Sequence, residues 1–177
     1  MKVILRQSNN TDLEAIYELQ TKCFNKSEHW YRSIIQNYLS NGYVLELYLP
    51  NKTKIIGVLL HGEIIPCNEG ILNNSGDIFI PQNDYGKDFL QNNLHKKPLE
   101  GIVMICIHPK FRNKGLAKKL IKKYHYDYNN IDLCLNTRAS NPAFNLYIKM
   151  GYKHIGIIKD KYFLPIEDSF FMIKNNI

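Results

Sequence analysis

The segment that most constrains this chain is residues 101–108, Gly-Ile-Val-Met-Ile-Cys-Ile-His, an apolar run that stops at Pro109. A run this short and this continuously apolar reads as a β-strand buried on both faces. It leads into Lys110, Phe111, Arg112, Asn113, Lys114 and Gly115, and then into a helical pattern over 114–126. Leu116, Ala117, Leu120, Ile121 and Tyr124 share one face of that helix, and Lys118, Lys119, Lys122 and Lys123 the other. A buried strand, a basic turn and a glycine-started helix together make an anion site. The first N–H groups of a helix have no partner within it, the dipole is positive there, and glycine lets a phosphate approach the backbone. Successive N–H groups converging on one concavity suit a pyrophosphate.

The charge distribution points to the same place. The net charge is +7, yet seven basic residues, Lys110, Arg112, Lys114, Lys118, Lys119, Lys122 and Lys123, fall in a window without Asp or Glu, and elsewhere the charges balance. This is not a general polycation, and no nucleic-acid-binding motif accompanies the lysines, so a nucleic-acid partner is not expected. At 177 residues with 45% hydrophobic content, the chain is expected to form one domain, 1–177, with a core that needs no disulfides. Cys23, Cys67, Cys106 and Cys134 are widely spaced, with no Cys-x-x-Cys pair, which argues against zinc and against a redox motif. They read as thiols of a reducing compartment, here the cytoplasm. The longest apolar stretches fall short of the roughly 18–20 residues of a membrane span, so no membrane partner is expected.

Periodicity predicts a first strand at 3–5, then a helix opened by Thr11 with Glu14 as a capping box, and a second helix over 30–39 with Ile34, Ile35, Tyr38 and Leu39 inward. Strands at 43–49 and 55–65 follow, joined by a short connection at 50–53. Residues 66–98 read as a long polar loop insertion, whose aromatics Phe79, Tyr85 and Phe89 either line an acceptor site or pin the loop down. After the strand at 101–108 and the basic helix come a strand at 131–136 and a helix opened by Asn141-Pro142 and closed by Gly151. Strands at 154–158 and 169–174 end the chain.

Two motifs resemble the GCN5-related N-acetyltransferase (GNAT) superfamily. Arg112-x-x-Gly115-x-Ala117 is similar to its acyl-CoA loop, and the segment from Asn141 through Ala143 and Tyr147 to Gly151-Tyr152 is similar to its downstream helix. The resemblance implies an α/β (α+β) fold with a mixed, mostly antiparallel central sheet of about seven strands and about four flanking helices. Acyl-CoA would lie in the cleft between the fourth and fifth strands. It implies that backbone groups of Ile105, Cys106 and Ile107 pair with the pantetheine arm. Arg112, Asn113, Lys114, Gly115, Leu116, Ala117 and Lys118 would hold the pyrophosphate, and Asn141 would add a contact to the CoA chain. Tyr147 would sit near the sulfur as general acid. The implied enzyme is an N-acetyltransferase with acetyl-CoA as co-substrate and no metal, acting as a monomer or homodimer.

The chemistry fits. Direct attack of an amine on a thioester expels a thiolate, and a phenol of pKa ~10 can donate a proton to it. The N–H near Ile107 is placed to stabilise the oxyanion. The base is open: His61 and Glu63 on the third strand, Glu100 beside the fourth, or a held water. Deprotonating a lysine-like amine at pH 7 costs about 4.6 kcal/mol and an α-amino group about 1 kcal/mol, so a weak base tilts the acceptor toward a protein N-terminus. Residues 161–168, with Tyr162 as a substrate contact, are loosely similar to the tyrosine-bearing loop and acidic-pair strand of protein N-terminal acetyltransferases. Polyamine or arylalkylamine acceptors, and a non-catalytic acyl-CoA or nucleic-acid binding module, are the alternatives. Plainer readings stand beside these: Tyr147 as a core residue, His61 and Glu63 as an ordinary strand-end pair, Cys106 and Cys134 as packing.

Overall fold

The computed structural model describes residues 2–64, 79–93 and 99–176. Among them are eight strands and five α-helices, and every pairing recorded between described strands is antiparallel. Two compact units divide the chain, one of Met1–Gly62 and Ile102–Tyr128, the other of Glu63–Gly101 and Asn129–Ile177. No described helix is long and apolar enough to cross a membrane.

In the first unit, β1 (Lys2–Gln7) pairs with β2 (Gly42–Leu49), which pairs with β3 (Lys52–Ile64). Leu49 faces Lys52, so Pro50-Asn51 is a two-residue hairpin turn, tighter than the expected connection. β5 (Leu99–Ile107) is next to β3 in the strand order, and nearly all of its length from Ile102 on is buried or half-buried, as its composition requires. Helices α1 (Leu13–Cys23) and α2 (Arg32–Tyr38) supply Ile16, Leu19 and Ile35 to a core that also holds Val58, Met104 and Cys106. Each such aliphatic side chain contributes about 1.5–3 kcal/mol when fully buried. Gln20 is also fully buried in this stripe, and both ends of its amide are bonded to the Trp30 backbone, Nε2 to the carbonyl at 2.7 Å and Oε1 from the N–H at 2.9 Å. Ile34, expected inward, is 40% exposed, because only Ile35 and Leu39 of that stripe reach full burial.

The start of α1 corrects the expected cap. Asn9, not Thr11, accepts from the Thr11 N–H at 2.9 Å, and Asp12, not Glu14, accepts from the Asn9 N–H at 2.9 Å, so the reciprocal box sits two residues earlier over a short 3₁₀ turn. Asp12 prevails because Arg6 grips it with two nitrogens, at 2.7 and 2.8 Å, while also bonding Glu46 at 3.1 Å. Glu14 instead pairs with Arg32 in solvent.

In the second unit the order is β6 (Leu133–Arg138), β8 (Ile166–Lys174), β7 (Lys153–Phe163), β4 (Phe79–Pro81). β4 and helix α3 (Asp84–Asn93) lie inside the stretch expected to be loop. Asn83 explains the helix: its carbonyl accepts from Lys87 N–H, its side-chain oxygen from Gly86 N–H at 2.8 Å, and its amide reaches the His154 carbonyl at 3.0 Å. Gly86 is required there, since a Cβ would lie 2.2 Å from the Ile155 carbonyl oxygen. Tyr85 packs on the core of Cys134, Ile155 and Phe171 and donates to Asn175 at 2.5 Å, which makes it a pin. Cys67 and the side chains of Phe79 and Phe89 lie outside the described residues.

Asp12→Ala removes both the cap and the partner of Arg6, and is expected to lower stability by about 1–3 kcal/mol in urea denaturation. Glu14→Ala, which breaks only an exposed pair, is expected to change it by less than about 1 kcal/mol.

Candidate active site

After β5 the chain turns through a 3₁₀ segment, Pro109–Phe111, in which Phe111 N–H bonds the His108 carbonyl at 2.8 Å and Arg112 N–H bonds the Pro109 carbonyl at 3.2 Å. Asn113 and Gly115 then both take positive φ, 59° and 72°. Helix α4 (Leu116–Asp127) begins with Lys119 N–H bonding the Gly115 carbonyl at 3.0 Å, so the amides of Leu116, Ala117 and Lys118 precede its ladder. A Cβ at Gly115 would meet nothing within 4 Å. Glycine is therefore needed for its left-handed backbone and not for lack of room, and the space before the helix start is open.

Arg112 shapes this turn. Its Nε donates to the Ile107 carbonyl at 3.1 Å and its Nη2 to the Cys23 carbonyl at 3.3 Å, tying the end of β5 to the end of α1. The side chain the motif would lend to a phosphate is thus already bonded to backbone, which leaves the loop amides and neighbouring charge for the anion. Ile105 is half-buried and Cys106 and Ile107 are buried on the strand that leads in. His108 reports the local field. Burial first, and then Lys54, Lys22, Lys110 and Arg112, hold its imidazole below the usual histidine value. Lys114 lies over the Phe111 ring, and Lys118 and Lys119 are exposed. Lys123 is bound to Asp127 at 2.5 Å, so the far end of the basic face is partly neutralised.

The second unit carries the other candidates. Asn141 caps the turn before α5 (Phe144–Lys149), its side-chain oxygen accepting from Ala143 N–H at 2.9 Å. Gly151 closes the helix at φ 92°, and Tyr152 N–H returns to the Tyr147 carbonyl at 3.0 Å. Tyr147 is 4% exposed and edge-on to Tyr152. Burial, reinforced by nearby Tyr162, pushes its hydroxyl above the ordinary phenol value, so it stays protonated at neutral pH. Tyr162 stands on β7, which with β8 forms a hairpin longer than expected. Phe163 pairs with Ile166, leaving Leu164-Pro165 as the turn. The Arg138 guanidinium lies 4.1 Å from the Tyr162 ring centre and bonds Glu167 at 3.1 Å, and Glu167 also accepts from Ser140 N–H. Asp168 pairs with Lys159 at 2.7 Å. Both members of the acidic pair are thus structural anchors. Nothing in local spacing marks Arg138, because its partners come from strand register between β6 and β8.

His61, a candidate base on the sequence, is buried away from solvent. It is 2% exposed, with its ring 5.6, 5.0 and 4.9 Å from those of Tyr43, Tyr124 and Tyr128. This packing places it in the core of the first unit. Glu63 is exposed and Glu100 half-buried.

Residues 76–154 match the family described as Acetyltransferase (GNAT) domain. That stretch, which is under half of the chain, resembles a GNAT acetyltransferase domain. No protein of curated function matches its sequence. Solved structures share the fold well beyond the matched stretch. NAA60 of Arabidopsis thaliana, in complex with acetyl-CoA, superposes with TM-score 0.71 at 16% identity over 97% of this chain and 98% of its own. The ribosomal-protein-S18-alanine N-acetyltransferase of Escherichia coli gives 0.66 at 16% identity over 98% and 93%. The loading GNATL domain of CurA from Lyngbya majuscula gives 0.72 at 14% identity over 99% and 98%. The GNAT fold accounts for the mostly antiparallel sheet, and the turn at Arg112 to Lys118 falls within the matched stretch.

In the free protein the His108 imidazole is expected to titrate below the usual histidine value by NMR. Saturating CoA, by adding negative charge at the turn, is expected to move that midpoint upward; a midpoint unchanged by CoA would separate the turn from CoA binding.

Proposed function

We propose that this chain is an acetyl-CoA-dependent N-acetyltransferase that moves an acetyl group to a primary amine by direct attack, and that the amine is a protein N-terminus. The observation that carries the reading is the helix start at Gly115: unladdered amides, open space and a surrounding cation field within a stretch matched to the GNAT family. Ile105, Cys106 and Ile107 offer backbone groups to the pantetheine arm, and the amides from Asn113 to Lys118 hold the pyrophosphate. Arg112 holds the loop in shape, and Asn141 adds its amide to the CoA chain.

The acceptor amine attacks the thioester carbon, the oxyanion takes a hydrogen bond from the N–H near Ile107, and the C–S bond breaks. Tyr147 gives the departing thiolate its proton, and a held water takes the proton that the acylated nitrogen sheds and returns one to the phenolate. Burial keeps this phenol protonated across the neutral range, so the acid is always loaded. The same shift makes full transfer uphill toward a thiolate of ordinary pKa ~8.5, so the proton moves as the C–S bond breaks and not before. An α-amino acceptor suits a site beside which the described residues place no buried carboxylate base, since little free energy is needed to present it neutral. Similar structures support a protein acceptor: the Escherichia coli enzyme is named for alanine of ribosomal protein S18, and the NatC complex was solved with a Gag peptide and CoA. Tyr162, held by Arg138, and exposed Glu63 are the proposed acceptor contacts.

The test is release of free CoA thiol from acetyl-CoA with peptides bearing a free or a blocked N-terminus, beside polyamines and arylalkylamines. Release only with free N-termini is the expected result. Release with polyamines alone would move the acceptor to small amines, and binding without release would leave a non-catalytic module. Tyr147→Phe is expected to lower kcat by about 100-fold or more. Gly115→Ala imposes about 1–2 kcal/mol of left-handed strain and is expected to raise the KM for acetyl-CoA.

A further inference from the structure

One residue of the second unit is bonded to both the acid-bearing helix and the acceptor-side hairpin. The Arg138 backbone carbonyl accepts from the Asn141 N–H at 3.0 Å, and the Asn141 side chain caps the turn that leads into α5, the helix of Tyr147. The Arg138 side chain reaches the other way, into the hairpin of β7 and β8. Its guanidinium lies 4.1 Å from the Tyr162 ring centre and donates to Glu167 at 3.1 Å and to the turn carbonyls of Pro165 and Leu164 at 3.4 and 3.5 Å. Glu167 closes the ring of contacts with its other oxygen, which accepts from the Ser140 N–H. We propose that Arg138 is a positioning residue that locks the β7–β8 hairpin to the turn at 138–141, so that Tyr162 is held in one place relative to the segment carrying Asn141 and Tyr147, and that it acts on the KM for the acceptor, on the reading that Tyr162 contacts the acceptor.

The sheet does not hold the hairpin tip by itself. The register of β7 against β8 is interrupted between Ile158 and Tyr162, and pairing resumes at Tyr162 with Glu167 and Phe163 with Ile166. Asp160, within that interruption, takes a positive φ of 47°. The tip carries Phe163, Leu164 and Ile166, which are 79%, 68% and 72% exposed, so side-chain packing contributes little to fixing it. The Arg138 and Glu167 side chains, by contrast, are only 13% and 17% exposed, so their ion pair is weakly screened. A guanidinium suits the task because its flat face stacks on a ring while its fork of donors reaches a carboxylate and two carbonyls at once. Lysine in its place keeps the ion pair and loses both the flat stack and the fork. The Arg138 carbonyl bond to Asn141 belongs to the main chain and survives any substitution, so loss of the side chain frees the hairpin and leaves the turn before α5 in place.

The experiment compares Arg138→Met and Arg138→Lys with the wild-type chain in two measurements. Limited trypsin digestion of the folded protein, read as the rate of cleavage after Lys161, follows the hairpin without any substrate. Both variants are expected to be cut there about tenfold faster, as a locally opened segment is. Steady-state kinetics with a free-N-terminal peptide and acetyl-CoA follow the consequence. The KM for the peptide is expected to rise about tenfold, while the KM for acetyl-CoA changes by less than about twofold. In a Tyr162→Leu background, Arg138→Met is expected to add little to the peptide KM, because the two residues act as one. Wild-type cleavage rates in both variants, faster cleavage with an unchanged peptide KM, or effects of Arg138→Met and Tyr162→Leu that simply add would each overturn the proposal. A variant that is merely part-unfolded lowers kcat and leaves both KM values in place, which would overturn it too. Arg138→Lys, which keeps the ion pair, carries both measurements should Arg138→Met fail to fold. A wild-type chain that transfers to no peptide would instead refute the functional reading, and the rate of cleavage after Lys161 would still decide whether Arg138 locks the hairpin.

Discussion

The turn after β5 must end a strand buried in the core and, within eight residues, begin a helix whose first amides stay unbonded by protein. Bare amides are tolerable only at a surface or against a ligand, and a loop free to relax would bond them to itself. Arg112 prevents the relaxation. By spanning the Ile107 and Cys23 carbonyls it fixes where β5 stops and anchors that point to α1, so the chain can leave only through the left-handed Asn113 and Gly115. The rest of the first unit follows from that clamp: α1 must end at Cys23, and α4 must lay Leu120, Ile121 and Tyr124 on the core with its lysines outward.

Charge in this protein is put to structural use more often than its bare sum implies. Of the seven basic residues in the window, Arg112 is spent on carbonyls and Lys123 on Asp127. The acids at 167 and 168 hold Arg138, Ser140 and Lys159 in place, which keeps both carboxyls below their usual values and gives neither the character of a general base. Arg138 in turn lies on Tyr162, so the orientation of that ring depends on a carboxylate one strand away.

What could be read along the chain was whatever local physics decides alone. The apolar strand, the basic helix and the Gly151 stop each rest on residues within a few positions of one another, and all are present, whereas Asn141 caps a turn and the helix it is expected to open starts later, at Phe144. The α1 cap sits at Asn9 and Asp12 instead of Thr11 and Glu14 because Asp12 is held by Arg6, on β1, a partner that local spacing does not reveal. Helix α3 is mostly polar on the sequence, and its stabilising contacts, Asn83 to the His154 carbonyl and Gly86 against Ile155, come from β7. The Arg138 stack on Tyr162 is likewise a product of register and packing, beyond the reach of spacing.

The claim on which the functional account rests is that the amides at the start of α4 receive the diphosphate of CoA. Amide chemical shifts in a ¹⁵N spectrum, followed through titrations with CoA, inorganic pyrophosphate and pantetheine, test it most directly. The account predicts that Gly115, Leu116, Ala117 and Lys118 move most with CoA, move in the same direction with pyrophosphate, and stay in place with pantetheine. Shifts of equal size for pantetheine, or shifts with CoA that leave these four amides unchanged, would contradict it.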